Sequence, residues 1–285
     1  MKKIYIISLV IAGLLFLTQV VFATTERLPA QNLKSGKYII IPEQVIQITP
    51  NIFSLGQSID PQKGDLVEGY LIVHPKKGFD KPTGTPGKGS GNKTTVNCFG
   101  FLSKGAKWKS VEPWVVNPAN PDGITDNSIF FILDNGITKW EDASDGVIDN
   151  NNSFDILGSG SITSLPLVAD TVSMDGQNEV YFDLLDEGTI GVTVVWGVFG
   201  GPPSARELRE WDQVYNTFYR WSDNGSPEKM DFENIATHEL GHSVGMADLY
   251  DNACAEETMY GYGTEGEIKK RDLDSGDIVG IDQLY

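Results

Sequence analysis

Histidine is scarce: the chain has three in 285 residues, His238 and His242 four apart and His74 set aside from them in the front part, so a site built on imidazole has two to draw on in one segment. Basic side chains are also in short supply. Twenty-two Lys and Arg stand against 39 Asp and Glu, a formal net charge of −17 that argues against nucleic acid or an anionic membrane as partner. Beyond the N-terminus no apolar run is long enough to cross a bilayer, so the mature protein reads as free of stable membrane insertion. Cysteine is limited to Cys98 and Cys254, and internal repeats and a full EF-hand spacing are missing.

What is present begins with an export signal. Lys2 and Lys3 precede an apolar run over 4–17 broken only by Ser8, and "VVFA" follows before Thr24. That order gives a secretory signal peptide over 1–23 and a secreted, extracellular protein. The alternative is a membrane anchor, which Thr18 and Gln19 interrupt. Residues 24–78 hold short β-branched runs separated by Pro, Gly and Asp, which predict a small β-rich unit. Residues 79–97 are rich in Gly, Pro, Lys and Thr, the composition of an exposed, protease-accessible linker. A domain boundary is placed there, with a second domain over 98–285.

In that second part strand and helix signals alternate. "WKSVEPWVVNP" reads as a strand, and Phe130, Leu133, Ile137 and Trp140 recur at helical spacing behind a Thr125 cap. Asp145, Asp149 and Asp155 follow among asparagines; calcium is a candidate there, against the plainer reading of a solvated loop. "EVYFDLL", "TIGVTVVWGV" and part of "ELREWDQVYN" read as strands. A helix is expected from Asp231, with Met230 and Ile235 as a hydrophobic staple, and "LDSGDIVGIDQLY" as a short closing helix.

The chemistry concentrates in "ATHELGHSVGMADLYD", residues 236–251. On a helix, side chains four apart stack on one face, so His238 and His242 aim two imidazoles at one point. Glu239 is rotated by about 100° from His238, near enough to reach a water on a metal without ligating it. Two imidazoles and an open position suit zinc, but a third protein ligand is needed. Gly245 is placed to end the helix with positive φ, letting the chain return Asp248 to the same point. Asp251 and Glu257 are weaker candidates. Asp248 also requires a hydrogen-bonding neighbour, which the sequence does not name.

The extended pattern His-Glu-x-x-His-x-x-Gly-x-x-Asp, followed by Thr258-Met259-Tyr260-Gly261, resembles the metzincin metalloproteases, with Met259 at the methionine turn. The order of "KWKSVEPWVVNP", the helix to Trp140, "GVTVVW", "REWDQVYN" and "GDIVGIDQLY" resembles matrixin catalytic domains over about 100–285. Matrixins carry histidine where Asp248 stands; an aspartate there is similar to the snapalysin group. The resemblance implies an α+β fold: a twisted, mostly parallel sheet with an antiparallel edge strand, an active-site helix and a C-terminal helix, preceded by the small β-rich unit. It implies a monomeric zinc endopeptidase acting on protein or peptide substrates, with Glu239 as general base and His238, His242 and Asp248 on Zn2+. It also makes "GVTVVW", with Val192, Thr193 and Val194, the edge strand that pairs with substrate. Tyr260 or Tyr262 is a candidate to steady the oxyanion, against plain aromatic packing.

In such a family the 24–97 region is a candidate propeptide, although it has no cysteine-switch motif. Cys98 and Cys254 read as a disulfide pinning the loop between Asp248 and Met259, the alternative being a thiolate on zinc. The rival to the enzyme reading is a non-catalytic exported binding protein with a structural or vestigial metal site.

Overall fold

The computed structural model describes residues 45–79, 97–148 and 154–285; the expected signal peptide and nearly all of the expected linker lie outside them. Four strands build the half of the sheet nearest the middle of the chain. These are β4 (Trp114–Val116), β5 (Gly160–Ile162), β6 (Asn178–Asp183) and β8 (Glu207–Asn216), all mutually parallel. β7 (Thr189–Val198) pairs antiparallel with β8.

The front segment does not stand apart. β1 (Ile46–Gln47), β2 (Ile52–Ile59) and β3 (Leu66–Pro75) are β-structured, as their composition predicts, but they continue the same sheet. The order is β1-β2-β3-β7-β8-β6-β4-β5. β3 runs antiparallel along β7, with Leu71 opposite Val194, Ile72 opposite Thr193 and Val73 opposite Val192. The strand expected to be a free edge is therefore interior. The reason is local shape: Gly69 lies against the Trp196 indole, where a Cβ would come within 2.7 Å of the ring. Val67, Leu71 and Ile72 are fully buried in the join.

Helix α1 (Asp126–Asp142) begins where Thr125 accepts from Ser128 N at 3.1 Å and buries Leu133, Ile137 and Trp140. Helix α2 (Phe232–Ser243) starts at Asp231, whose carboxylate accepts from Asn234 N at 3.0 Å. Helix α3 (Ser275–Leu284) opens with a capping box between Asp274 and Asp277. All three helices share one cluster with the sheet, including Trp140, Trp211, Ile235, Leu240, Met259 and Ile281. A second cluster, with Leu71, Leu167, Met174, Val194 and Trp196, fills the opposite face. Among the described residues no helix is long and apolar enough to cross a membrane.

Of the aspartates weighed for calcium, Asp149 lies outside the described residues. Asp145 accepts from Val147 N and Asp155 from Gly158 N, ordinary turn bonds of a surface loop.

Candidate metal centre

The site grows out of α2. His238 and His242 lie one turn apart and fully buried, their rings nearly perpendicular with centroids 4.9 Å apart. Each ring is oriented through Nδ1: His238 faces the Thr258 carbonyl at 2.7 Å and His242 the Met246 carbonyl at 3.0 Å. A carbonyl only accepts, so the proton sits on Nδ1 and both Nε2 atoms present lone pairs. The helix ends at Val244, and Gly245 follows at φ 107°, turning the chain back. Asp248 returns with Oδ1 at 3.1 Å from His238 Nε2 and 3.5 Å from His242 Nε2.

Those three atoms are buried and no hydrogen-bond donor reaches any of them. The ligating atoms lie within 4.8 Å of one another. Three lone pairs facing one point in a dry interior repel unless a cation sits between them. Two nitrogens and one carboxylate oxygen make a donor set that fits zinc.

The electrostatics of His238 and Asp248 agree. Burial, His74 and Lys270 push His238 down to about 3, favouring the neutral ligand form. Burial alone would raise Asp248, yet His242 and His238 outweigh it and hold the carboxylate well below its usual range. For His242 burial acts downward, but Asp248 outweighs it and the net shift is upward.

Below the centre, Met259 is buried and its backbone is fixed by α3: Asp277 accepts from Thr258 N at 2.6 Å and from Met259 N at 3.1 Å. The same Thr258 supplies the carbonyl that orients His238. Gly241 makes this approach feasible, since a Cβ there would overlap Met259 Sδ and come within 2.7 Å of Trp140. Gly241→Ala is expected to lower stability by roughly 1–3 kcal/mol through overpacking, read by thermal unfolding. An unchanged midpoint would mean that Met259 moves aside freely.

Glu239 lies beside this group, one of its oxygens within 4.8 Å of a ring nitrogen of His238, and is boxed in on its sheet side. Its Oε2 accepts from Thr193 Oγ1 at 2.5 Å, and its Oε1 pairs with His74 Nδ1 at 2.9 Å. Burial raises its pKa. His74 comes from β3, packs tilted at 44° against His238 with ring centroids 4.0 Å apart, and meets Lys270 Nζ through Nε2 at 3.4 Å. Asn51, also from the front segment, donates to Asp248 Oδ2 and is the neighbour that the aspartate needed.

Tyr260 and Tyr262 pack against each other with centroids 5.6 Å apart, and the Tyr260 hydroxyl bonds to Asn252 at 3.2 Å. Their backbone carbonyls bind the buried Lys270 ammonium. Asp251 caps a short turn and Glu257 binds the first amides of α3, so neither approaches the histidines. Cys98 and Cys254 form a disulfide. His74, Asn51 and Asp277 were not expected at the site. The capping-box spacing at 274–277 was a signal for Asp277, and the scarcity of histidine was one for His74.

Comparison with known proteins adds the family. The matrixin family model matches residues 165–285, a span that holds the histidine helix, Asp248 and Met259. A stretch of 74 residues is 42% identical to human matrilysin, covering 26% of each chain. The front strands lie outside the family match. With this fold, residues 165–285 are matrixin-like, similar to part of a metzincin catalytic domain.

Proposed function

We propose that the chain is a secreted zinc-dependent endopeptidase, held latent by its own front segment, with protein or peptide substrates. The observation that carries the reading is the convergence of His238, His242 and Asp248 on a point that no donor reaches, with Glu239 beside it. His238, His242 and Asp248 would hold the ion. When bound, zinc supplies Lewis-acid polarisation of the scissile carbonyl and acidifies a water.

Everything else falls to the side chains of this protein. Glu239, buried and with its basicity raised, accepts the proton of the attacking water and passes it to the departing amine. Thr193 holds one carboxylate oxygen, which leaves the other to face the proton once His74 has gone. β7 presents Val192, Thr193 and Val194 as a pairing edge for an extended peptide when β3 is absent. Residues 45–79 serve as a propeptide: they take that edge and engage both Glu239 and Asp248. A purely structural metal site has no use for a glutamate so placed.

The test is to cleave within 79–97, separate the front fragment, and measure metal content and casein hydrolysis. One zinc per chain and proteolysis that stops on chelation and returns with zinc are expected. Zinc bound without cleavage of any protein or peptide would end the peptidase assignment.

A further inference from the structure

We propose that Lys270 makes the centre select substrates carrying a side chain that ends in a hydrogen-bond acceptor: glutamine, glutamate or histidine in preference to an aliphatic residue. The proposal rests on the peptidase reading and deepens it by naming a substrate class. It begins from a charge that the hydrolytic chemistry does not use. Lys270 is fully buried, on the segment between Met259 and α3. An ammonium is a strongly hydrated point charge, costly to bury unless each of its donors is answered. Here the acceptors are the Tyr260 carbonyl at 2.5 Å, the Tyr262 carbonyl at 2.9 Å and His74 Nε2 at 3.4 Å. Burial brings the pKa of Lys270 down to about 8, which leaves it charged at neutral pH.

Two of those acceptors belong to the chain around the centre, and the third arrives with the front segment. An ammonium only donates, so His74 Nε2 meets it with a lone pair and the ring proton sits on Nδ1, facing Glu239 Oε1 at 2.9 Å. The imidazole is thus held by its acceptor end on Lys270. Its backbone is gripped as an extended peptide would be. His74 lies opposite Gly191 and Pro75 opposite Thr189 on β7. On the other side Lys77 N donates to the Gly263 carbonyl at 2.9 Å, and Gly263 N to the Pro75 carbonyl at 3.4 Å. Gly263 leaves room for the ring. A Cβ there would come within 3.1 Å of His74 Nε2, 2.8 Å of Ile190 Cδ1 and 3.2 Å of Ile235 Cδ1. The slot is apolar along those two isoleucines and ends on the ammonium.

Once the front segment leaves, one N–H of Lys270 faces this slot beside the metal centre. A substrate side chain that accepts there restores the lost bond. A leucine leaves a desolvated donor unanswered, and a site built around a buried donor discriminates against ligands that lack its partner. Reach narrows the choice. Histidine Nε2 stands as many bonds from its Cα as the terminal oxygens of glutamate and glutamine, whereas aspartate and asparagine fall one bond short. Glu267, Asp248 and Glu239 already oppose the charge of Lys270, so a neutral acceptor suffices.

The experiment uses the zinc-loaded full chain cut within 79–97, with both pieces present, and a peptide library randomised on both sides of the cleaved bond. Mass spectrometry of the products is expected to show one position at which Gln, Glu and His exceed Leu, Met and Phe. The expected margin is about 10-fold or more in kcat/KM, the worth of one hydrogen bond to a charged group. Lys270→Met, checked by melting temperature and zinc content, should turn that position towards Leu and Met. The wild-type profile decides the matter by itself if the variant does not fold. Aliphatic preference or no preference at every position of the wild type overturns the proposal and leaves the peptidase reading standing. An acceptor preference that persists in folded Lys270→Met overturns it in the same way. Cleavage of no peptide at all removes the peptidase reading and the proposal together.

Discussion

Glu239→Gln in the trimmed protein is expected to cut kcat/KM by roughly 10²–10⁴-fold, the range that a positioned general base contributes, while zinc content stays at the wild-type level. The substitution isolates one property. Glutamine keeps the volume of the buried side chain, and its amide oxygen still accepts from Thr193 Oγ1. What it cannot do is take a proton. His238, His242 and Asp248 are untouched, and their orientation depends on Thr258, Met246 and Asn51, none of which touches Glu239. A fluorogenic peptide assay beside metal analysis separates the outcomes. Activity within about tenfold of wild type would remove Glu239 from the chemistry, since that loss lies below the general-base range. Loss of zinc together with activity would mean that Glu239 supports the metal centre.

How far the sequence carried this picture depends on the distance over which each contact acts. The two histidines and their glutamate were legible because a helix fixes their directions within one turn. Asp248 was legible through Gly245, whose positive φ of 107° is a local requirement that glycine meets cheaply. The strands β6, β7 and β8 followed from β-branched and aromatic runs, and β8 reaches further than expected, over the whole of "ELREWDQVYN". Sheet order was not legible. Nothing within 45–79 marks β7 as its partner, because that pairing depends on Gly69 meeting Trp196 across more than a hundred residues. A free edge strand was the consequence of treating the front unit as separate. His74 was set aside for the same reason, although it reaches Glu239.

Removing the front segment is expected to convert a nearly silent chain into an active peptidase, and cutting the linker alone is expected to fall short. The reason lies in how the segment is held. β3 is paired along β7 from Glu68 to Pro75, with Val67, Leu71 and Ile72 fully buried. None of those contacts is broken by a cut in 79–97, so the cleaved fragment stays bound until dilution, denaturant or further proteolysis takes it away. Activity after linker cleavage should therefore rise on dilution, and purified fragment added back should inhibit. Two contacts reach the centre: His74 on Glu239 and Asn51 on Asp248. Asn51→Ala leaves strand pairing and Glu239 alone, whereas His74→Ala strips a buried partner from the glutamate and also vacates space beside His238. Fragments carrying His74→Ala should thus inhibit less well, by about 10-fold or more if the lost bond to a charged group is worth its usual ~1.5–3 kcal/mol. Inhibition constants for wild-type and variant fragments on the trimmed enzyme measure this directly. Full activity of the intact chain, or a fragment that fails to inhibit at any concentration, would show that peptides reach the centre without displacing β3.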